Sequence, residues 1–262
     1  MKGGRKAVQT AGALFRLLRA GRCGPAAGYP TLVERLPGCR VLCLAPHPDD
    51  ETLGCGGTLH KHVLAGDETA VAFLSDGAGG DVLTTSAGAG RVYAERRKRE
   101  AIAALDVLGV KDASFFGLPD GRLRGHVPAA GKRLAGLLKA FLPDVVCFPH
   151  PFDNHPDHAV VFDVAAHAVA SVSTSFRVAA YEVWTPLAAN TLVDITQQMA
   201  VKETALRKYE SQMAALDYVE RFRGLNAYRS LSCPDRSRYA EAFYVSPWRE
   251  FSELIRRVRG EK

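Results

Sequence analysis

Two short stretches gather residues able to hold a cation and move a proton. His47, Asp49, Asp50 and Glu51 fall within "APHPDDE", directly after the apolar run "RVLCLA" (40–45). His150, Asp153, His155, Asp157 and His158 fall within "PHPFDNHPDH" (149–158), directly after "DVVCF". Four of the chain's eight histidines are in these two stretches. So many ionisable groups at the ends of buried strands cost desolvation unless a positive or reactive partner sits among them. Two imidazoles and one carboxylate with an open coordination position suit catalytic zinc, and the same set can hold iron(II). Taken singly, each motif also reads as a Pro-Asp turn capping a helix. Together, at two strand ends, they point to one shared divalent-metal site.

Such a site needs a sheet whose strands end on a common rim. Apolar runs at 40–45, 69–75 ("TAVAFLS"), 112–118 ("DASFFGL"), 144–149 and 177–184 alternate with helical patterns at 51–65, 92–108, 128–141 and 158–171. Gly66, Gly109 and Pro143 terminate three of those helices. This alternation predicts a single Rossmann-like α/β domain, with a mainly parallel sheet flanked by helices. In such sheets ligands bind beyond the carboxyl ends of the strands, which is where both motifs lie. After residue 185 the order changes. A strand at 191–195, a helix near 198–213, less regular chain and "EAFYVS" read as a C-terminal elaboration on the same sheet.

At 262 residues and 47% hydrophobic composition the chain can bury one large core. Its net charge of +6 is concentrated at the two ends, among them Lys2, Arg5, Lys6, Arg16 and Arg19, then Arg256, Arg257 and Arg259. Residues 1–35 read as a basic N-terminal extension to a domain spanning 36–262. The extension offers a face for peripheral membrane contact or an anionic substrate. Gln9, Thr10 and Arg16 interrupt it, so it is neither a signal peptide nor a membrane span. No aromatic residues interleave a basic stripe, which excludes a nucleic-acid groove. The six cysteines include no CxxC, and Cys43 and Cys147 lie in strand-like runs. They read as reduced thiols of a cytoplasmic protein. Oligomeric state is not legible.

The motifs "APHPDDE" and "HPDH" resemble those of the PIG-L (LmbE-like) family of zinc-dependent N-acetylglucosaminyl deacetylases. The likeness runs over about residues 40–245, through "SDGAGG", "RKRE", "LPDGRL", "YEVWTPL", "KETALRKYESQ" and "YAEAFYV". It implies zinc held by His47, Asp50 and His158, and Asp49 as general base. It also implies His155 as the group stabilising the oxyanion, with Asp157 orienting it in its charged form, and Arg97 as a substrate contact. The expected reaction is removal of an acetyl group from an N-acetylated amino sugar of a glycan, glycolipid or glycoside precursor. Rival readings are a deacylase of longer acyl chains, a phosphoesterase, and a sugar- or nucleotide-binding module without turnover. The chemistry is coherent in itself. An amide resists water, so the nucleophile must be hydroxide-like near neutral pH, which zinc provides, and a nearby carboxylate can relay the proton to the departing amine.

Other residues carry weaker expectations. Glu51 reads as a first-turn acid favouring the helix dipole. The glycines of "GCGG" (54–57) read as small residues letting a helix approach the sheet. His60 and His62 read as surface residues, and His150 as an outer partner of the metal site. The glycine-rich loop 76–91 reads as a substrate loop, and Asp120 as either an acceptor of sugar hydroxyls or a turn residue. Asp153 and Asn154 make the loop before "HPDH" unusually polar, and this bears on the pocket beside it.

Overall fold

Strands β2 (Arg40–Ala45), β3 (Glu68–Ser75), β4 (Asp112–Leu118), β5 (Val145–Pro149) and β6 (Arg177–Tyr181) run parallel in the spatial order β6-β5-β2-β3-β4. The computed structural model describes residues 30–80, 89–233 and 236–261. Three further strands extend the sheet beyond β6: β8 (Ala240–Pro247), β7 (Thr191–Asp194) and the edge strand β1 (Thr31–Val33). Only the pairings of β8 with β6 and with β7 are antiparallel. The expected mainly parallel sheet is therefore present. It also takes in Thr31–Val33, paired with β7, so part of the stretch read as an extension belongs to the sheet. Residues 1–29 lie outside the described residues, and the expectation of membrane contact lies with them. Among the described residues no helix is long and apolar enough to cross a membrane.

Alternation along the strands builds two apolar layers. Val41, Cys43 and Ala45 of β2 face one side, with Leu53, Leu59, Leu105 and Leu206. Leu42 and Leu44 face the other, with Leu134, Leu138, Val161 and Ile255. Helices α1 (Asp50–Leu64), α2 (Ala89–Leu108) and α5 (Met199–Leu206) cover the first side. Helices α3 (Val127–Phe141), α4 (Pro156–Val169) and α8 (Trp248–Arg259) cover the second. The helix expected over 198–213 divides into α5 and a short α6 (Glu210–Met213), and α7 (Tyr218–Arg229) occupies part of the stretch read as irregular.

Helix α1 is broken at Cys55, whose φ of −145° and ψ of 20° are not helical. The break is stabilised from the far end of the chain. Glu241 on β8 accepts hydrogen bonds from Gly57 N (2.9 Å) and Thr58 N (2.7 Å), acting as a cap for the second half of the helix. Lys202, fully buried, neutralises Glu241 at 2.7 Å and donates to Leu53 O at 2.8 Å. The neighbouring glycines permit close approach, as the sequence suggested. A Cβ on Gly54 would stand 2.1 Å from the Tyr181 ring, and one on Gly57 would stand 2.8 Å from Ile195. Cys43, Cys55 and Cys147 are buried free thiols at this contact, with the first two sulfurs 3.6 Å apart.

The connection pattern places a topological switch between β2 and β5. From β2 the chain moves to β3 and β4 on one side, then returns to β5 on the other. A crevice opens where the following loops diverge, and ligands of open parallel sheets bind there. The loop after β2 carries His47–Glu51, and the loop after β5 carries His150–His158.

Candidate metal centre and active site

The two motifs meet at this crevice. Asp50 Oδ2 is 3.1 Å from His47 Nδ1 and 3.2 Å from His158 Nε2, so both rings face one carboxylate oxygen. All three side chains are buried. His158 Nε2 and Nδ1 and His47 Nε2 are buried without an aligned hydrogen-bond partner, although carboxylates lie within ion-pair distance. His47 Nδ1 and His158 Nε2 face the same Asp50 oxygen while carboxylates back the other nitrogen of each ring, an arrangement that a cation would satisfy. Burial would lower the imidazoles, yet the carboxylates of Asp120, Asp157 and Asp50 hold His47 well above its usual range. Asp50 and Asp153 likewise outweigh burial to push His158 up to about 9. Burial would raise the Asp50 carboxyl, but His158 and His47 hold it far below the ordinary carboxylate range. The pocket's own field is thus strongly negative, and it favours a cation in place of protons on the rings.

His155 completes a ring of three imidazoles, with centroids 4.7 Å from His47 and 4.6 Å from His158. By proximity alone these three also form a group able to hold a metal ion. His155 differs from the other two in being only half-buried and in what it does locally. It is the N-cap of α4, and its Nδ1 accepts the Asp157 backbone N–H at 3.2 Å. With Nδ1 occupied as acceptor, the ring's proton sits on Nε2, and burial with the charges of His47 and His158 lowers its pKa. Asp157 favours the charged ring, as expected, but by less than burial and the two neighbouring imidazoles oppose it. The Asp157 carboxylate instead accepts from Gly121 N (2.8 Å) and Leu123 N (3.1 Å) and lies 3.4 Å from His47 Nε2. It steadies His47, as does Asp120 Oδ1 at 3.1 Å.

Asp49 sits beside this cluster in a strained conformation, with φ of 133° and ψ of −27°. Its backbone carbonyl accepts from Thr52 N and Leu53 N, which fixes the start of α1. Its backbone N–H donates to Glu51 Oε2 at 3.1 Å. Arg97, buried on α2, holds the segment from above: it donates to Pro48 O and places Nη2 3.3 Å from Asp49 Oδ2. Burial pushes the Asp49 carboxyl up to about 6, and Arg97 moderates that rise. A carboxylate that titrates near neutrality suits a base that must also give its proton back.

Glu51 lies in the first turn of α1, as expected, but it faces the interior. It is fully buried, bonded to the Tyr209 hydroxyl at 2.5 Å and to Thr52 Oγ1, and burial pushes its carboxyl up to about 8. His62 is likewise buried, with Nδ1 2.8 Å from Asp67, and His60 is half-buried against Leu108 O. Both had read as surface residues. His60 meets the end of α2 and His62 is enclosed by the fold, which short-range pattern did not reveal. His150 stands off the centre, its Nε2 2.8 Å from Thr185 O. Asp153 has the role that sequence reasoning missed: its Oδ1 is 3.1 Å from His158 Nδ1, and its Oδ2 accepts from Trp184 N and Thr185 N.

A cavity of about 300 Å³ opens above these groups. His47, Asp49, Asp50, Arg97, Asp120 and His155 line it, with Gly77 and Gly79 from the loop after β3 and Trp184, Gln212 and Tyr218 at another part of its wall. Asp120 Oδ2 accepts from Gly79 N at 2.9 Å, tying that loop to the site. Residues 81–88, the remainder of the expected substrate loop, lie outside the described residues. Buried Arg97 has Nε and Nη1 without partners, so it retains donors beyond those used to brace Asp49.

Known proteins resemble this chain in sequence and in fold. Residues 42–169 match the family described as PIG-L: GlcNAc-PI de-N-acetylase. A diacetylchitobiose deacetylase of Thermococcus kodakarensis is 30% identical over 192 residues, covering 66% of this chain and 70% of its own. A 1D-myo-inositol 2-acetamido-2-deoxy-alpha-D-glucopyranoside deacetylase of Kribbella flavida is 27% identical, covering 55% of this chain and 58% of its own. The chain thus spans little more than half the length of the second enzyme. In structure, a conserved protein of Thermus thermophilus superposes with a TM-score of 0.67 at 31% identity, covering 79% of this chain and 94% of its own.

Proposed function

Because the chain belongs to the PIG-L family, whose relatives here are deacetylases of N-acetylated sugars, we propose that it hydrolyses the acetamido bond of an N-acetylated amino sugar with the help of one zinc ion. The observation that carries this reading is the pairing of a cation-demanding triad with a separate buried carboxylate. Asp50 lies between His47 and His158, and Asp49, the adjacent residue, turns to the same cavity without sharing their contacts.

His47, Asp50 and His158 would hold the zinc; iron(II) suits the same donors. When bound, the metal would lower the pKa of a water to near 7 and polarise the amide carbonyl. Asp49, titrating near 6, takes the proton of the attacking water and returns it to the departing amine. Arg97 keeps that carboxylate aimed and low enough to accept the proton. His155 presents its Nε2–H to the negative charge developing on the carbonyl oxygen, a role its helix-capping Nδ1 leaves open. Arg97 and Asp120, facing the cavity, bind hydroxyls of the sugar.

The test is acetate release from a panel of N-acetylated sugars and their glycosides by zinc-loaded protein, with metal analysis alongside. About one zinc per chain is expected, lost in His47→Ala or His158→Ala. Protein that stays metal-free after zinc incubation, or zinc-loaded protein that releases no acetate from any of them, would refute the reading.

A further inference from the structure

The peptide unit between Pro48 and Asp49 is gripped at both ends by side chains. Arg97 donates to its carbonyl, Pro48 O, and Glu51 Oε2 accepts its N–H, from Asp49 N, at 3.1 Å. On the other side of the residue, Asp49 O accepts from Thr52 N and Leu53 N at 3.0 and 2.9 Å. The backbone is thus fixed on both sides of the strained angle, the Asp49 φ of 133°. A side-chain-bearing residue keeps such a conformation only where its surroundings over-determine it. Rotation about that N–Cα bond would swing the Asp49 carboxylate relative to the Pro48 peptide, so the grip decides where the carboxylate points.

Glu51 is fully buried, and an apolar side chain would fill its place without the cost of desolvating an acid. What an apolar side chain could not do is accept the Asp49 N–H. Its other oxygen, Oε1, accepts from Thr52 Oγ1, next in the chain, and from the Tyr209 hydroxyl at 2.5 Å. Tyr209 comes from far along the chain, between α5 and α6, and is itself held firmly. Its carbonyl accepts from Gln212 N and Met213 N at 3.0 and 2.9 Å. Ser211, two residues on, donates through N and Oγ to Glu100 at 2.9 and 2.5 Å, one turn beyond Arg97 on α2. The Arg97 guanidinium lies 5.9 Å from the centre of the Tyr209 ring. Both side chains that grip the Pro48–Asp49 peptide therefore meet Tyr209, one at its hydroxyl and the other at its ring.

We infer that Tyr209 is a positioning residue: acting through Glu51, it holds the Asp49 backbone in the conformation that turns the Asp49 carboxylate to the cavity. It is not among the described residues that line the cavity. The inference rests on the deacetylase reading, in which Asp49 moves the proton, and extends the machinery to a residue outside both motifs. A misaimed base slows the chemical step and leaves substrate binding largely alone, so the effect belongs in kcat.

The test is a cycle of Tyr209→Phe, Asp49→Asn and the double variant, zinc-loaded and assayed on the N-acetylated sugar that the wild type hydrolyses fastest. Tyr209→Phe should lower kcat about tenfold, with KM within about twofold and zinc content unchanged. In Asp49→Asn the same change should cost less than about twofold, because the carboxylate it positions is already gone. Glu51→Gln, whose amide can accept the Asp49 N–H and still bond Tyr209, should recover most of the kcat that Glu51→Ala loses. A readout independent of turnover is hydrogen exchange at Asp49 N in the zinc-free protein, followed by NMR. It should be about tenfold faster in Tyr209→Phe than in wild type. Equal losses of kcat in the wild-type and Asp49→Asn backgrounds, or equal exchange at Asp49 N in Tyr209→Phe and wild type, would overturn the inference while the deacetylase reading stands. Faster exchange in Tyr209→Phe, with no acetate released from any sugar by the wild type, would leave the grip on Asp49 standing and overturn the deacetylase reading.

Discussion

Asp153 Oδ1 lies 3.1 Å from His158 Nδ1, on the side of the ring opposite the nitrogen that faces Asp50. A carboxylate behind a ligating histidine fixes its tautomer and raises its basicity, and loss of such a partner typically costs about 10–100-fold in metal affinity. Asp153→Asn should therefore weaken zinc binding by about that factor, as measured by competition with a chromogenic chelator. Zinc affinity equal to wild type would show that the contact is incidental.

What the sequence disclosed and what it withheld divide along physical lines. Strands β2 and β5 are buried on both faces, so they read as continuous apolar runs whose ends could be seen to carry the motifs. The starts of α1 and α4 were equally legible, because "PDD" and "HPDH" are also helix-start chemistry. Helix α7 was not, because "YVERFRGLNAYR" buries only Val219, Phe222 and Asn226 and shows no apolar stripe. The edge strand β1 has three residues and exists only through its pairing with β7, far along the chain. The same limit hid the roles of Glu51, Asp153 and His62. Each depends on a partner or cover supplied by the fold: Tyr209 for the first, Trp184 and His158 for the second, burial in the folded chain for the third.

Neighbouring aspartates should separate cleanly. Asp50 is the oxygen shared by His47 and His158, whereas Asp49 contacts Arg97. Asp50→Asn should weaken zinc binding itself. Asp49→Asn should keep the zinc and lose at least about a hundredfold in kcat. In the wild type the acidic limb of kcat/KM should lie near the value of about 6 to which burial raises Asp49, activity falling as the pH drops and the base becomes protonated. Arg97→Gln removes the charge that opposes that rise, so its acidic limb should move to higher pH. Swapped effects of the two aspartate substitutions, or a limb that moves down in Arg97→Gln, would contradict this assignment.

Acid sensitivity should arise away from the site, at His62. Its Nδ1 pairs with Asp67, but its Nε2 is buried with no partner, so a second ring proton would have nowhere to donate. Burial lowers the His62 pKa in the folded chain below the ordinary value of about 6.5. The folded state therefore binds fewer protons there than the unfolded one. The stabilisation is complete above the ordinary histidine pKa and is lost as pH falls through it towards the lowered folded value. Asp67 is also held below its usual range, by His62 and Arg35 against the effect of burial, and adds a loss in the same direction at lower pH. Thermal melts between pH 7.5 and about 5 should show Tm falling less steeply in His62→Gln than in wild type. Parallel curves would place the acid sensitivity elsewhere.

His155 is the residue whose two nitrogens have different tasks, and its substitution should reveal both. Nδ1 caps α4 by accepting the Asp157 N–H, and Nε2 is the nitrogen proposed to offer its proton to the reacting carbonyl oxygen. His155→Ala should cost about 1 kcal/mol of stability through the lost cap. It should lower kcat by about a hundredfold or more through the lost donor, with KM and zinc content little changed. Because the proposed donor is a neutral ring, raising the pH does not remove its proton, so a basic limb in the wild-type profile should persist in His155→Ala. His155→Gln keeps a side-chain N–H and should recover part of kcat. A variant that has lost its zinc would make His155 a third imidazole ligand, which the 4.6 Å approach of its ring to His158 would permit. A basic limb that vanishes in His155→Ala would mean that the ring works as an imidazolium, with its bond to the α4 N-terminus broken during turnover.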